Sequence, residues 1–310
     1  MAAALLVGAL GGCGGSEPSG RVIGVDRSAG TVPIDVVAEI DLGEDASPTA
    51  LARLGPRRLA IGERQTGRIV AVDVDTPDDV SELAEVDVAS PVQGQRGLLG
   101  LVSVDGDLYA AWTRASDGRL VVGQVAPGTP RLIWVGPKSA GLANGGHLAL
   151  DGRRIVIGVG DVQQPDRIDD PDAPNGKILA LDPNGRPDQR PEVMSSGWNN
   201  PFAFTVTGSG QVWVADNSPG REPERLGRGD GEGAPRDLPG RRAPSALVQL
   251  GSERLGLCGY LDGDLVAVDL SPSPTLGATL ARGDCRTGAV GLGDRLVAVS
   301  DGGTVRVLRV

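Results

Sequence analysis

A unit of short apolar runs, each closed by Gly, Asp, Asn or Pro, recurs along the chain about every 40 to 50 residues, and nothing else in the sequence limits the fold as strongly. "ALARLGPRRLAIGERQTGRIVAVDVD" sets three runs in succession, followed by "SELAEVDVA". "LLGLVSVDGDLYAAWTRASDGRLVVGQVA" repeats the three with "RLIWVG" as a fourth, and "HLALDGRRIVIGVGD", "GKILALDP" and "PEVMSSG" form the next unit. Two more begin at "PFAFTVTGSGQVWVADNSPG" and "SALVQLGSERLGLCGYLDGDLVAVDLS", and a last, "GAVGLGDRLVAVSDGGTVRVLRV", ends one strand short. Val, Leu and Ile runs bounded by turn residues are strands. Four strands per unit predict an all-β chain folded as a six-bladed β-propeller. The short unit needs a donor strand, and "PIDVVAEIDLG", residues 33–43, supplies one that closes the last blade and hides its open edge. A β-sandwich is the alternative, disfavoured by the regular spacing over the whole chain. Residues 219–244, rich in Gly, Pro and charge, carry no strand signal and are expected to form a polar loop.

Composition agrees with this pattern. The 310 residues include 48 Gly and 23 Pro, and no sustained helical stripe follows the first residues. A net charge of -10 repels phosphate backbones, and no clustered basic face offsets it, so nucleic acid is excluded as a partner. The opening "MAAALLVGALGGCGGSEPSG" resembles a bacterial lipoprotein signal over residues 1–12, with Cys13 as the lipid acceptor. It predicts a flexible linker over 13–32, a propeller over 33–310, export, and attachment to the outer face of the cell membrane through the lipid alone. Cys258 and Cys285 then remain as an even pair in an oxidising setting and are expected to form a disulfide, with two buried free thiols as the alternative.

Several segments, in order along the chain, resemble the soluble PQQ-dependent glucose/sorbosone dehydrogenase family. "GQRGLLGL" at 94–101 is close to the family's "RGLLG", "NGGHLAL" at 144–150 to "HNGGRL", and "GKILALDPNGRP" at 176–187 to "GKILRINPDG". "WNNPFAFTV" at 198–206 is similar to "RNPxGLA", "VWVADNSPG" at 212–220 to "LWVTDxGPxG", and "APSALV" at 243–248 to "APSG". The resemblance implies a six-bladed propeller with PQQ over the channel mouth, calcium polarising its quinone, and a histidine that takes the hydroxyl proton of an aldose-type sugar while hydride passes to the cofactor.

Residue by residue the match is mixed. Gln95 falls on the Gln before the "GLLG" turn and Asn200 on the Asn of "RNP", so both are candidate cofactor contacts, as is Arg286 near the C-terminus and, less directly, Gln163. Ser218 and Pro219 fall on a Gly-Pro pair whose carbonyls bind calcium in the family. Asn199 replaces an arginine and so loses a fixed charge, while Glu222 and Glu224 are out of register with the family's acidic pair. Ala143 stands where the family's base belongs, and Ala cannot accept a proton. His147, the only histidine, lies four positions on, the same side of an extended strand but roughly 13 Å away, beyond the reach of a base placed at Ala143 unless the double glycine bends the chain. It is the one candidate for a relocated base. The carboxylates of Asp161 and of residues 166–176 lack a calcium-loop spacing and read as a solvated acidic loop. Two functions stay open: a PQQ-dependent sugar dehydrogenase with a degenerate site, or a catalytically inactive propeller that binds a ligand or protein at the cell surface.

Overall fold

The structure, a computed structural model, describes residues 22–88, 94–125, 129–218 and 223–310. Strands dominate because Val, Ile and Leu alternate with small residues in runs too short for helices. Among the described residues the one helical element is the turn Pro165–Arg167, and no helix is long and apolar enough to cross a membrane. The strands form six antiparallel sheets, or blades, over 48–85, 98–138, 145–196, 203–237, 244–281 and 288–309. Their innermost strands are Pro48–Gly55, Leu98–Val104, Gly145–Asp151, Ala203–Val206, Pro244–Gly251 and Gly288–Gly293. Each packs against the next, and the sixth against the first, which makes a six-bladed propeller around a central channel.

Six apolar clusters fill the six gaps between blades. Leu99, Tyr109, Ile155 and Leu179 lie between blades 2 and 3, for example, and Ile40, Leu59, Ile61 and Val305 between blades 6 and 1. Middle strands such as Lys177–Leu181 are covered on both faces and are accordingly apolar almost throughout. The inner strands approach so closely that a Cβ on Gly100 would collide with the carbonyl oxygen of Gly146.

Asp35–Asp41 pairs antiparallel with Thr304–Arg309 and completes blade 6, as the short last unit implies. Its Ile40 is fully buried, and Arg306 ties it in through Glu39 at 2.7 Å. Cys258 of blade 5 and Cys285, which leads into blade 6, are joined as a disulfide with Cα atoms 5.3 Å apart, inside the cluster between those blades.

Two expectations need correction. The linker expected over 13–32 is bound structure from Val22 onward, while Cys13 lies outside the described residues. Ile23 is 2% exposed among Leu226, Leu238 and Leu276, its amide donates to Asp237 O at 2.9 Å, and Gly24–Val25 runs parallel to the outer strand Thr275–Ala281. A free strand edge offers unpaired amides and carbonyls, and this strap satisfies them. Likewise, the loop expected over 219–244 contains the strands Arg225–Arg228 and Arg236–Asp237, which complete blade 4. Each stretch offers a single buried apolar residue, Leu226 and then Leu238, too little for a period to show in the sequence.

If ring closure rests on Ile40, Ile40→Ala should cost about 3 kcal/mol in urea unfolding. Val36→Ala, on the same strand but 54% exposed, should change stability by less than about 0.5 kcal/mol. Equal effects would contradict the closing role of this strand.

Candidate functional site

All six inner strands begin at one end of the channel, so the segments leading into them gather at a single mouth. The ends of the second strands return there too. Between them lies a cavity of about 400 Å³ whose walls include Arg64, Gln95, Asn200, Asn217, Ser245, Tyr260 and Arg286. No carboxylate or imidazole is among the described lining residues.

Each of these groups is held by the chain around it. Asn200, 3% exposed, accepts the Gly145 amide at Oδ1 (2.9 Å) and donates its own amide to Asp216 (2.8 Å), which leaves the Nδ2 donor on the cavity side. Asp216 is fully buried, accepts the Asn199 amide as well, and pairs with Arg225 at 2.6 Å, whose guanidinium lies over Trp198. Such a buried carboxylate persists only because cationic and amide donors replace its water. Gln95 Oε1 accepts the Ala143 amide at 2.7 Å, and Nε2 remains as its donor. Arg286 donates to Asp301 at 3.0 Å and to the Tyr260 carbonyl at 2.6 Å, so it braces the loop that presents Tyr260, a residue 54% exposed at the rim. Ser245 Oγ is buried without a hydrogen-bond partner.

Of the candidates read from sequence, Gln95, Asn200 and Arg286 meet at this cavity. Gln163 does not line it; its Oε1 accepts the Gly141 amide at 3.1 Å and steadies the loop before Ala143. Ser218 is buried, its hydroxyl accepting from Asn199 at 3.1 Å, while Pro219 lies outside the described residues. Ala143 has φ +56° and is 4% exposed, a left-handed alanine whose side chain is turned away from solvent. His147 lines a different cavity, of about 730 Å³, toward the other end of the channel. The register shift at Gly145 does not bring it up: its ring packs edge-on against Phe204 (5.2 Å between centroids) and lies 5.9 Å from Phe202, a residue of the mouth wall.

Arg64 and Tyr260 lie outside the motif segments, and Asn217 falls within "VWVADNSPG" but at a variable position. All three directly follow second strands, Arg58–Glu63, Val212–Asp216 and Arg254–Gly259, so superposing the blades in the sequence would have found them. In the acidic loop over 166–176, Asp166, Asp169 and Asp172 are exposed, as expected, while Asp161 is buried and the loop backbone gathers around one cation. Lys177, 3% exposed, places its ammonium among four carbonyls, those of Ala173 (2.6 Å), Asp170 (2.8 Å), Ile168 (3.2 Å) and Asn175 (3.4 Å). Among the described residues no three His, Cys, Asp or Glu side chains converge as a metal site.

The described residues thus form a six-bladed propeller whose mouth is lined by amide, hydroxyl and guanidinium groups. The family model for glucose/sorbosone dehydrogenase matches residues 45–224, more than half of the chain, and the chain belongs to that family. Its fold is similar to the PQQ-bound aldose sugar dehydrogenase of Streptomyces coelicolor, with a TM-score of 0.72, 20% identity, and coverage of 89% of this chain and 98% of that one. The soluble aldose sugar dehydrogenase of Escherichia coli in its apo-form gives 0.71 at 20% identity, covering 90% and 99%. Virginiamycin B lyase from Staphylococcus aureus shares the ring more distantly, at 0.57 and 10%, covering 90% and 100%. No curated protein matches the chain.

Burial alone pushes the His147 pKa down from 6.5 to about 4, so the imidazole is neutral at pH 7. The unfolded chain takes up a proton near pH 6.5 that the folded imidazole refuses until about pH 4, so stability is fully kept above this window and falls as pH drops through it. Between pH 7 and 4 the wild type should lose at most about 3 kcal/mol more than His147→Gln, read from urea midpoints. Parallel pH profiles would show that the imidazole is not held neutral by the channel.

Proposed function

We propose that this sugar dehydrogenase-like protein receives a planar quinone cofactor, PQQ, at its channel mouth, and that the mouth does not carry out sugar oxidation by the family's route. The observation that carries this reading is the composition of the mouth: amide, hydroxyl and guanidinium groups converge there, and no proton acceptor lines it among the described residues. PQQ is a flat tricarboxylate, and the residues present suit it. Arg64 and Arg286 offer charge to carboxylates, Gln95 Nε2 and Asn200 Nδ2 offer hydrogen bonds, and Ser245 Oγ is a buried polar atom still without a partner. The exposed Tyr260 ring gives a face for stacking, and about 400 Å³ is within the usual range for small-molecule sites. When bound, PQQ supplies the hydride acceptor.

What the chain's own residues do is bind and orient. A sugar hydroxyl must lose its proton to a base within hydrogen-bond reach as hydride leaves. Ala143 has no such group, and His147 belongs to the other cavity, past Phe202. Among the described residues the mouth wall carries no carboxylate for calcium, and Pro219, half of the carbonyl pair that the family resemblance implies as ligands, lies outside them. The second reading, turnover of an aldose with His147 as the base, is favoured by the family membership alone. Export with a lipid on Cys13 belongs to the same proposal, supported by the Leu10-Gly11-Gly12-Cys13 box and by the Cys258–Cys285 disulfide, which suits an oxidising compartment.

Calorimetric titration of the purified chain with PQQ should give saturable binding, and dye-linked assays with glucose and other aldoses should then show no turnover. Absence of binding at high micromolar PQQ would overturn the cofactor reading. Turnover that His147→Ala abolishes would overturn the inactive reading in favour of a relocated base.

A further inference from the structure

Arg64 directly follows the second strand of blade 1, Arg58–Glu63, and lines the mouth. Its Nη1 donates to the Gly94 carbonyl at 2.8 Å and to that of Arg96 at 3.4 Å, so it also steadies the loop carrying Gln95. The adjacent acid cannot neutralise it: Glu63 is 6% exposed and pairs with Arg68 at 2.8 Å. Arg286, by contrast, is balanced by Asp301 at 3.0 Å. Among the described residues Arg64 is therefore a charge without an acidic partner, in a mouth whose described walls hold no carboxylate and a chain of net charge -10. Its place in the ring is also informative. Blades 6 and 1, which bring Arg286 and Arg64, adjoin each other, whereas blade 4, with Asn199, Asn200 and Asn217, lies across the channel.

We infer that Arg64 binds an anionic group of the mouth ligand and, with Arg286, gives the cavity a polarity: the carboxylate-bearing edge of the ligand faces blades 1 and 6, and its neutral edge faces the amides of blade 4. This rests on the reading of the mouth as a PQQ site and assigns the charge recognition within it. Asn199 can offer an amide but no fixed charge on the blade 4 side. A guanidinium on the opposite wall supplies both charge and a donor fork, and the low polarity around Leu99 and Phe202 strengthens its pull on a carboxylate.

The test compares wild type, Arg64→Gln and Arg64→Lys in titrations with three probes: PQQ, benzene-1,2,4-tricarboxylate, and the uncharged planar quinone 1,10-phenanthroline-5,6-dione. Arg64→Gln should weaken PQQ about 10- to 100-fold, Arg64→Lys by less, and the uncharged quinone should bind all three proteins alike. The wild type should also show a steeper loss of PQQ affinity with added salt than Arg64→Gln. If Arg64→Gln weakens PQQ and the uncharged quinone equally, the residue merely holds the Gln95 loop and the inference is overturned; it is overturned too if PQQ affinity is unchanged. Arg64-dependent binding of the tricarboxylate by a protein that does not bind PQQ would keep the anion anchor and discard the quinone reading. Binding of none of the three probes would discard both.

Discussion

A ring of twisted sheets has no edge only if its last sheet meets its first, and here that meeting depends on the pairing of Asp35–Asp41 with Thr304–Arg309. The mouth depends on the same seam. Thr287 Oγ1, at the start of blade 6, donates to the Pro48 carbonyl of blade 1 at 2.7 Å, directly between the segments that carry Arg286 and Arg64. The closure thus sets the two segments side by side, while Asp301 and the Tyr260 carbonyl hold Arg286 and the Gly94 carbonyl holds Arg64. Both sides of the seam are packed by the cluster around Ile40, so the geometry of the charged wall follows from burial of a strand that is remote in sequence.

The amide wall is fixed by a different device. Asp216, without access to water, gathers the Asn199 and Asn200 amides and the Arg225 guanidinium, and thereby aims Asn200 at both the Gly145 amide and the cavity. Gln95 does similar double duty, one end of its amide holding Ala143 in a left-handed conformation and the other left for a ligand. The frame of the mouth is therefore built around a position, Ala143, that has no base. This combination is why binding and turnover separate in the function we propose. The more distant likeness to a lyase ring underlines that the frame by itself selects no chemistry.

Much of this was legible in the sequence, and the reasons are local. Strand runs and their turns repeat with a period, so the blades and the closing strand could be read directly; Asp105 and Gly106, for instance, both adopt positive φ in the two-residue turn that the Asp-Gly pair announces. Gln95 and Asn200 could be found because motif segments carry them, and Arg286 by its place near the C-terminus. The strands of blade 4 could not, since Leu226 and Leu238 are isolated apolar residues among glycine and arginine. Nor could the strap at Ile23, which pairs through backbone groups that sequence does not display. Parity puts His147 on the channel face, four residues from Ala143, but only the stacking of Phe202 and Phe204 shows at which level it lies.

The loop around Lys177 has a consequence of its own. A cage of four carbonyls is the donor set with which proteins usually hold a hard cation, and here the cation is an ammonium on the chain itself. A tethered ion is present at a high effective concentration whatever the medium contains. Chelators, dilution and competing salts therefore have nothing to remove, and residues 166–176 keep their shape in surroundings where an exchangeable calcium would come and go.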